Sequence, residues 1–224
     1  KTNGKQIKRL GKNHYHKYEN KIKNILLNTL IESPNFDLKQ KYYLDDLITE
    51  QHYEALKTFE PLTETDLIGF HGQTIYHNPE KKCSIQLGNP KKLAGMLGKD
   101  VVFNFRSKDL EMRGQGAPLA PIYHKLIIEN LNLELPSCIL NIGGVSNLTY
   151  WDGNKLIGFD TGPGNALMDT FIQKVTSSYY DESGLLASKG ISNKKIIQKY
   201  ICYDFFKKLP PKSLDKNSFL NFYN

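Results

Sequence analysis

Apolar residues in the first sixty positions recur at helical intervals. Ile22, Ile25, Leu26 and Leu30 share one face of a stretch from Glu19 to Ile31, which Ser33-Pro34 stops. A second amphipathic segment runs from about Leu38 to Phe59 and ends at Pro61. Beyond it the texture changes to short apolar runs, Asp66–Phe70, Ser84–Leu87 and Val101–Phe105, which predict strands. Between the last two, Pro90–Leu97 predicts a helix with proline in its first turn and Gly98 just past its end. Pro118 to Leu131 predicts another.

At Cys138–Ile142 a new strand begins and the pattern restarts, which predicts a domain boundary near Pro136. Val145–Trp151 and Lys155–Phe159 flank Asp152-Gly153-Asn154, a strong hairpin signal. The run Leu156–Phe159 delivers Asp160 into a turn, Thr161-Gly162-Pro163-Gly164-Asn165, and Ala166–Ile172 then has helical character. Lys194–Leu209 predicts a last helix before Pro210-Pro211-Lys212-Ser213. No low-complexity segment or short tandem repeat interrupts the chain.

Composition narrows the classes. With 224 residues, 39% hydrophobic and 24% charged, the chain reads as a soluble globular protein. It has no apolar run near the ~20 residues of a membrane helix and no signal-peptide pattern. A net charge of +7 invites a nucleic-acid partner. However, Arg9, Arg106 and Arg113 are the only arginines and the lysines are dispersed, so a lysine-rich bias explains the charge better. Cys83, Cys138 and Cys202 are isolated, odd in number and without metal spacing, as suits buried thiols in a reducing cytoplasm. His14 and His16 are spaced for chelation, but nothing nearby completes a metal site, and no metal ligands are assigned. The chain opens on Lys1, and Lys1–Leu10 carries no apolar pattern that would start a domain, which reads as a truncated or processed chain or one translated from a broken frame.

Four predicted strand exits carry candidate chemistry. Asp160 sits beside a glycine-rich turn, a frequent way to build a site for a sugar or polyanion; an Asp that merely caps the next helix is the alternative. His71-Gly72-Gln73-Thr74 follows a strand and groups donors and acceptors around a glycine, with a structural histidine equally open. Arg106 offers a planar fork for carboxylate or hydroxyl groups, and an Arg106–Asp109 pair that steadies the loop is the alternative. Arg113–Pro118 leads a loop into a helix start, and Asn141-Ile142-Gly143-Gly144 closes the fourth exit. Strand ends of an α/β fold converge on one cleft, which points to an enzyme of small polar substrates. The familiar nucleotide motifs fail: Gly11-Lys12-Asn13 and Gly98-Lys99-Asp100 lack the rest of a P-loop. Gly162-Pro163-Gly164 lacks the third glycine of a dinucleotide fingerprint, where Leu167 stands.

Taken together, the segments resemble the anhydro-N-acetylmuramic acid kinase family of bacterial cell-wall recycling. The matching stretches are Gly69–Ile75, Gln86–Asn89, Phe105-Arg106 with Asp109, Gly114–Leu119, Leu140–Thr149, Gly158–Asp169 and Pro210–Ser213. The resemblance implies an α/β chain of the two-domain sugar-kinase/actin-like (ribonuclease H-like) fold, with the active site between the domains. It implies ATP and Mg²⁺ as cofactors, and anhydro-N-acetylmuramic acid as substrate. The sugar is opened at its 1,6-anhydro bridge by water and phosphorylated at O6, giving N-acetylmuramic acid 6-phosphate. Asp160 would be the general base, in a polar setting that keeps it ionised; Arg106, His71, Gln73 and Asn141 would bind sugar. Gly143, Gly144, Gly162, Gly164 and Asn165 would bind nucleotide. A homodimer is among the expected partners; nucleic acid and membrane are not.

Departures from the family pattern are Asn104 for Asp and Arg113 for Gly. Family members also open with a Ser-Gly-Thr-Ser-type phosphate loop that does not precede Lys1, and continue well past Asn224. The expected organisation is therefore incomplete at both ends: residues 1–136 as a first α/β domain without its phosphate-loop strand, and 137–224 as the beginning of a second. A catalytically incomplete, sugar-binding remnant is the competing expectation.

Overall fold

A computed structural model describes residues 5–7, 11–32 and 37–214. The Ser33-Pro34 stop and most of Lys1–Leu10, Arg9 included, lie outside these. The chain divides into two compact units between Pro118 and Leu119.

The first unit begins with helices α1 (Asn20–Glu32) and α2 (Leu38–Lys57). Asp37 caps α2 by accepting the Gln40 N–H at 2.7 Å. The predicted apolar stripe of α1 is used as such: Ile22 and Leu26 pack with Leu44 and Ile48 of α2 and with Ile75 and Leu87, forming the core. Strand β1 (Leu67–Phe70) pairs in parallel with β4 (Asp100–Phe103), while β2 (Gln73–Asn78) and β3 (Cys83–Leu87) form an antiparallel hairpin. Helix α3 (Pro90–Leu97) carries the chain from β3 to β4, capped by Asn89, started by Pro90 and stopped by left-handed Gly98 at φ 60°. A short helix, α4 (Ser107–Glu111), follows. Strand β2 was invisible to hydrophobic pattern because Gln73, Thr74, His77 and Asn78 make it polar; its one buried apolar residue, Ile75, lies at a register shift.

The second unit is an antiparallel meander of β5 (Ser137–Ile142), β6 (Val145–Trp151) and β7 (Leu156–Pro163). Helix α5 (Leu119–Asn130) packs on it. Pro121 lies so close to Gly158 that a Cβ there would meet it at 2.5 Å, His124 Nδ1 lies 2.7 Å from Thr149 Oγ1, and Lys125 stands 4.0 Å over the Trp151 ring. Helix α5 therefore belongs with this sheet, whereas a break near Pro136 would have assigned it to the first unit. The predicted hairpin is present, with Asp152 Oδ1 accepting the Asn154 and Lys155 N–H groups. Helix α6 (Asn165–Val175) follows β7. One long helix over Lys194–Leu209 is not formed: α7 (Lys194–Ile201) ends at Cys202, and α8 (Asp204–Lys207) redirects the chain so that Phe205 is buried. Nor are the thiols buried as expected, since Cys138 and Cys202 are exposed and Cys83 is half-buried.

Candidate functional site

In the first unit the site is built by a tight reversal after β1. Gly72 adopts φ +70°, and a Cβ there would lie 2.3 Å from the Leu87 carbonyl oxygen, so the turn into β2 requires glycine. The reversal places His71 against Arg106. Arg106 Nε donates to His71 Nε2 at 3.0 Å, and Nη1 donates to the Gly116 carbonyl at 2.8 Å. With Nε2 accepting, the ring proton lies on Nδ1, which donates to the Gly72 carbonyl at 3.1 Å. His71 thus spends one ring nitrogen on the guanidinium and the other on the Gly72 carbonyl, which holds the ring in place. Burial lowers the Arg106 pKa, though a guanidinium stays charged throughout the physiological range. Asp109 does steady this loop, but by accepting the Gly116 N–H at 2.7 Å rather than by pairing with Arg106. The two side chains grip one residue from its amide and carbonyl sides.

A cavity of about 350 Å³ opens beside Arg106. Its lining also includes His71, Lys41, Ser84, Gln86 and Asn104. Gln73 is not part of the lining; its amide lies 3.4 Å from the Thr74 carbonyl. Gln86 donates to Ser84 Oγ at 2.6 Å, and Asn104, in a left-handed conformation at φ 62°, accepts from Ser107 Oγ at 2.5 Å. Lys41 bonds Asp45 Oδ2 at 2.6 Å, while Asp45 Oδ1 accepts the Gly88 N–H at 3.0 Å and Thr49 Oγ1 accepts the Asn89 N–H at 2.7 Å. Lys41, Asp45 and Thr49 recur every four residues on α2, and that polar stripe was the signal that could have found Lys41.

In the second unit Asn141 pairs with Asn147, and Asn147 with Asp160, so the three share one row and one side of the sheet. Asp160 does not end a strand, as predicted. Strand β7 continues to Pro163, and the register shifts so that Thr161 is a bulge between the Asn147–Asp160 and Ser146–Gly162 pairs. Nor is Asp160 a helix cap: Gly164 takes that position before α6, with no side-chain cap bond. The Asp160 carboxylate is half-buried and Oδ2 accepts the Leu214 N–H at 2.7 Å. Burial pushes its pKa up and the Leu214 N–H pulls it back, with burial dominant.

The glycine turn between β5 and β6 is bonded to the start of α6. The Gly143 carbonyl accepts from Asn165 N–H at 2.7 Å, and the Gly144 carbonyl from Gly164 N–H at 3.0 Å and Ala166 N–H at 3.3 Å. A Cβ at Gly164 would fall 2.1 Å from the Gly143 oxygen, so only glycine permits this approach. Gly162 is buried in the ladder opposite Ser146. The amides of Gly164 and Asn165 are thus engaged within the turn.

A polar cavity under an oriented guanidinium, and a half-buried strand carboxylate with a raised pKa, are features of enzymes acting on small polar molecules. Comparison with known proteins gives the family. A family model described as "Anhydro-N-acetylmuramic acid kinase" matches residues 2–224. An anhydro-N-acetylmuramic acid kinase of Bradyrhizobium diazoefficiens is 38% identical over 97% of this chain and 62% of its own length. One of Rhodopseudomonas palustris is 37% identical over 99% of this chain and 63% of its own, and one of Pelagibacter ubique 44% over 62% and 38%. This chain belongs to the anhydro-N-acetylmuramic acid kinase family. It spans a little over three-fifths of the length of the first two relatives.

Proposed function

We propose that the protein acts as an ATP-dependent kinase of 1,6-anhydro-N-acetylmuramic acid, within the two-domain sugar-kinase/actin-like fold. Water opens the anhydro bridge and the freed O6 is phosphorylated, yielding N-acetylmuramic acid 6-phosphate in the cytoplasm as part of peptidoglycan recycling and amino sugar catabolism. The observation that carries this reading is Asp160, a half-buried carboxylate whose pKa is raised and whose strand leads into the glycine turn. It takes the proton of the attacking water. Arg106, aimed by His71, binds the sugar through the N–H groups that His71 and Gly116 do not use, with Asn141 as a further polar contact. Gly143 and Gly144 form the nucleotide side of the reading, where the absence of side-chain bulk lets phosphates approach backbone, and Gly162, Gly164 and Asn165 hold that turn in place.

Among the described residues no group of three His, Cys, Asp or Glu side chains could hold a metal ion. Mg²⁺ would be held chiefly by the nucleotide phosphates, with at most one or two carboxylates, and would supply charge neutralisation there. The test is ADP release dependent on the anhydro-sugar, with Asp160→Asn as control. An unchanged rate in that variant, or no turnover, would sink the reading. Calorimetric binding of the sugar without ATP affinity would support the non-catalytic alternative.

A further inference from the structure

The segment from Pro210 to Leu214 has no part in the function proposed above, yet it runs directly along Asp160. The Asp160 N–H donates to the Lys212 carbonyl at 2.9 Å, and two residues on, the Leu214 N–H donates to Asp160 Oδ2 at 2.7 Å. That spacing is like the pairing at a strand edge, although the segment is not itself a strand, with the aspartate side chain standing in for a main-chain acceptor. The segment is itself anchored. Lys212 Nζ donates to the Phe205 carbonyl at 3.1 Å and lies 4.5 Å over the ring of buried Phe205. The neighbouring Phe206 ring packs on Gly162, where a Cβ would meet it at 3.1 Å. Among the described residues, Asp160 Oδ1 accepts no hydrogen bond.

We propose that Pro210–Leu214 is a positioning strap for the general base: the Leu214 N–H fixes Oδ2, and Oδ1 is thereby presented as the oxygen that takes the proton. The inference rests on the role given to Asp160 above. Charged groups on the elements packed around β7 have other partners: Lys212 the Phe205 carbonyl, Lys207 on α8 Asp204, and on α5 His124 Thr149, and Lys125 the Trp151 ring and Glu129. The strap therefore acts by its backbone donor rather than by charge.

Leu214→Pro removes that donor and keeps an apolar side chain. Carboxyl ¹³C NMR titration of Asp160 in the 224-residue protein should show its pKa rising by about one unit. An unmoved pKa in a natively folded variant overturns the strap and leaves the kinase reading untouched. Amide exchange gives a second measurement that needs no proline: the Leu214 N–H should exchange slowly in the parent protein and about ten-fold faster or more in Asp160→Ala. Equal rates overturn the strap as well. Where the pKa moves, the acid limb of the turnover–pH profile should move to higher pH with it. A limb that stays in place overturns the positioning role, and with it Asp160 as base.

Discussion

Asp160 is under two opposed demands, and the opposition is measurable. Its folded-state pKa lies above the ordinary carboxylate value because burial outweighs the Leu214 hydrogen bond. A raised carboxylate pKa means ionisation is harder in the folded than in the unfolded chain. The penalty is absent below the unfolded value, grows as pH rises through the folded pKa, and is fully present above it. Asp160→Asn should accordingly abolish sugar-dependent ADP release yet raise Tm at pH 7, and the gain should disappear near pH 3; thermal unfolding at the two pH values checks it. Arg106 makes the complementary case. Lys in its place keeps a charge but cannot hold His71 Nε2 and the Gly116 carbonyl together, so Arg106→Lys should weaken sugar binding about ten-fold or more by calorimetry while the fold persists.

Turns and strand ends hold these residues in place, and there the backbone is least forgiving. Gly164→Ala would drive a Cβ to 2.1 Å from the Gly143 oxygen, a backbone atom that cannot rotate aside. It should cost about 2–3 kcal/mol in urea unfolding, the upper end for single substitutions. Asp45→Ala should cost about 1–3 kcal/mol, because it strips a buried acceptor from the Gly88 N–H beside the cavity. What could be read from sequence follows the same division. Helix α3 was legible to its caps because Asn89, Pro90 and Gly98 are local signals, and the β6–β7 hairpin because Asp152-Gly153 is one too. Asp160 and Arg106 were legible as polar residues set among glycines and short strands. The continuation of β7 was not, since a bulge at Thr161 hides a strand inside what reads as a turn. The bonding of His71 to Arg106, thirty-five residues away, and the strap over Asp160 are long-range contacts that no local pattern encodes.

Across the whole molecule the charge is large but dispersed. The net charge of +7 is carried by lysines, several of them tied to carboxylates, as Lys92 is to Asp46 and Glu50. Filter binding at physiological salt should therefore retain no DNA or RNA, and salt-sensitive retention would contradict the dispersed-charge argument. No helix among the described residues is long and apolar enough to cross a membrane. The bulge in β7 has a reach that extends past its own strand. Ser146 meets Gly162 and Asn147 meets Asp160, so Thr161 is supernumerary to the ladder, and its hydroxyl bond to the Ser146 carbonyl at 3.1 Å is dispensable to either pairing. Deleting it would let both registers run on unbroken while turning everything downstream, and the Gly164 and Asn165 amides would no longer meet the Gly143–Gly144 carbonyls. Position 161 should then accept many side chains and tolerate no gap: what descent must preserve there is a count of residues, not a chemistry.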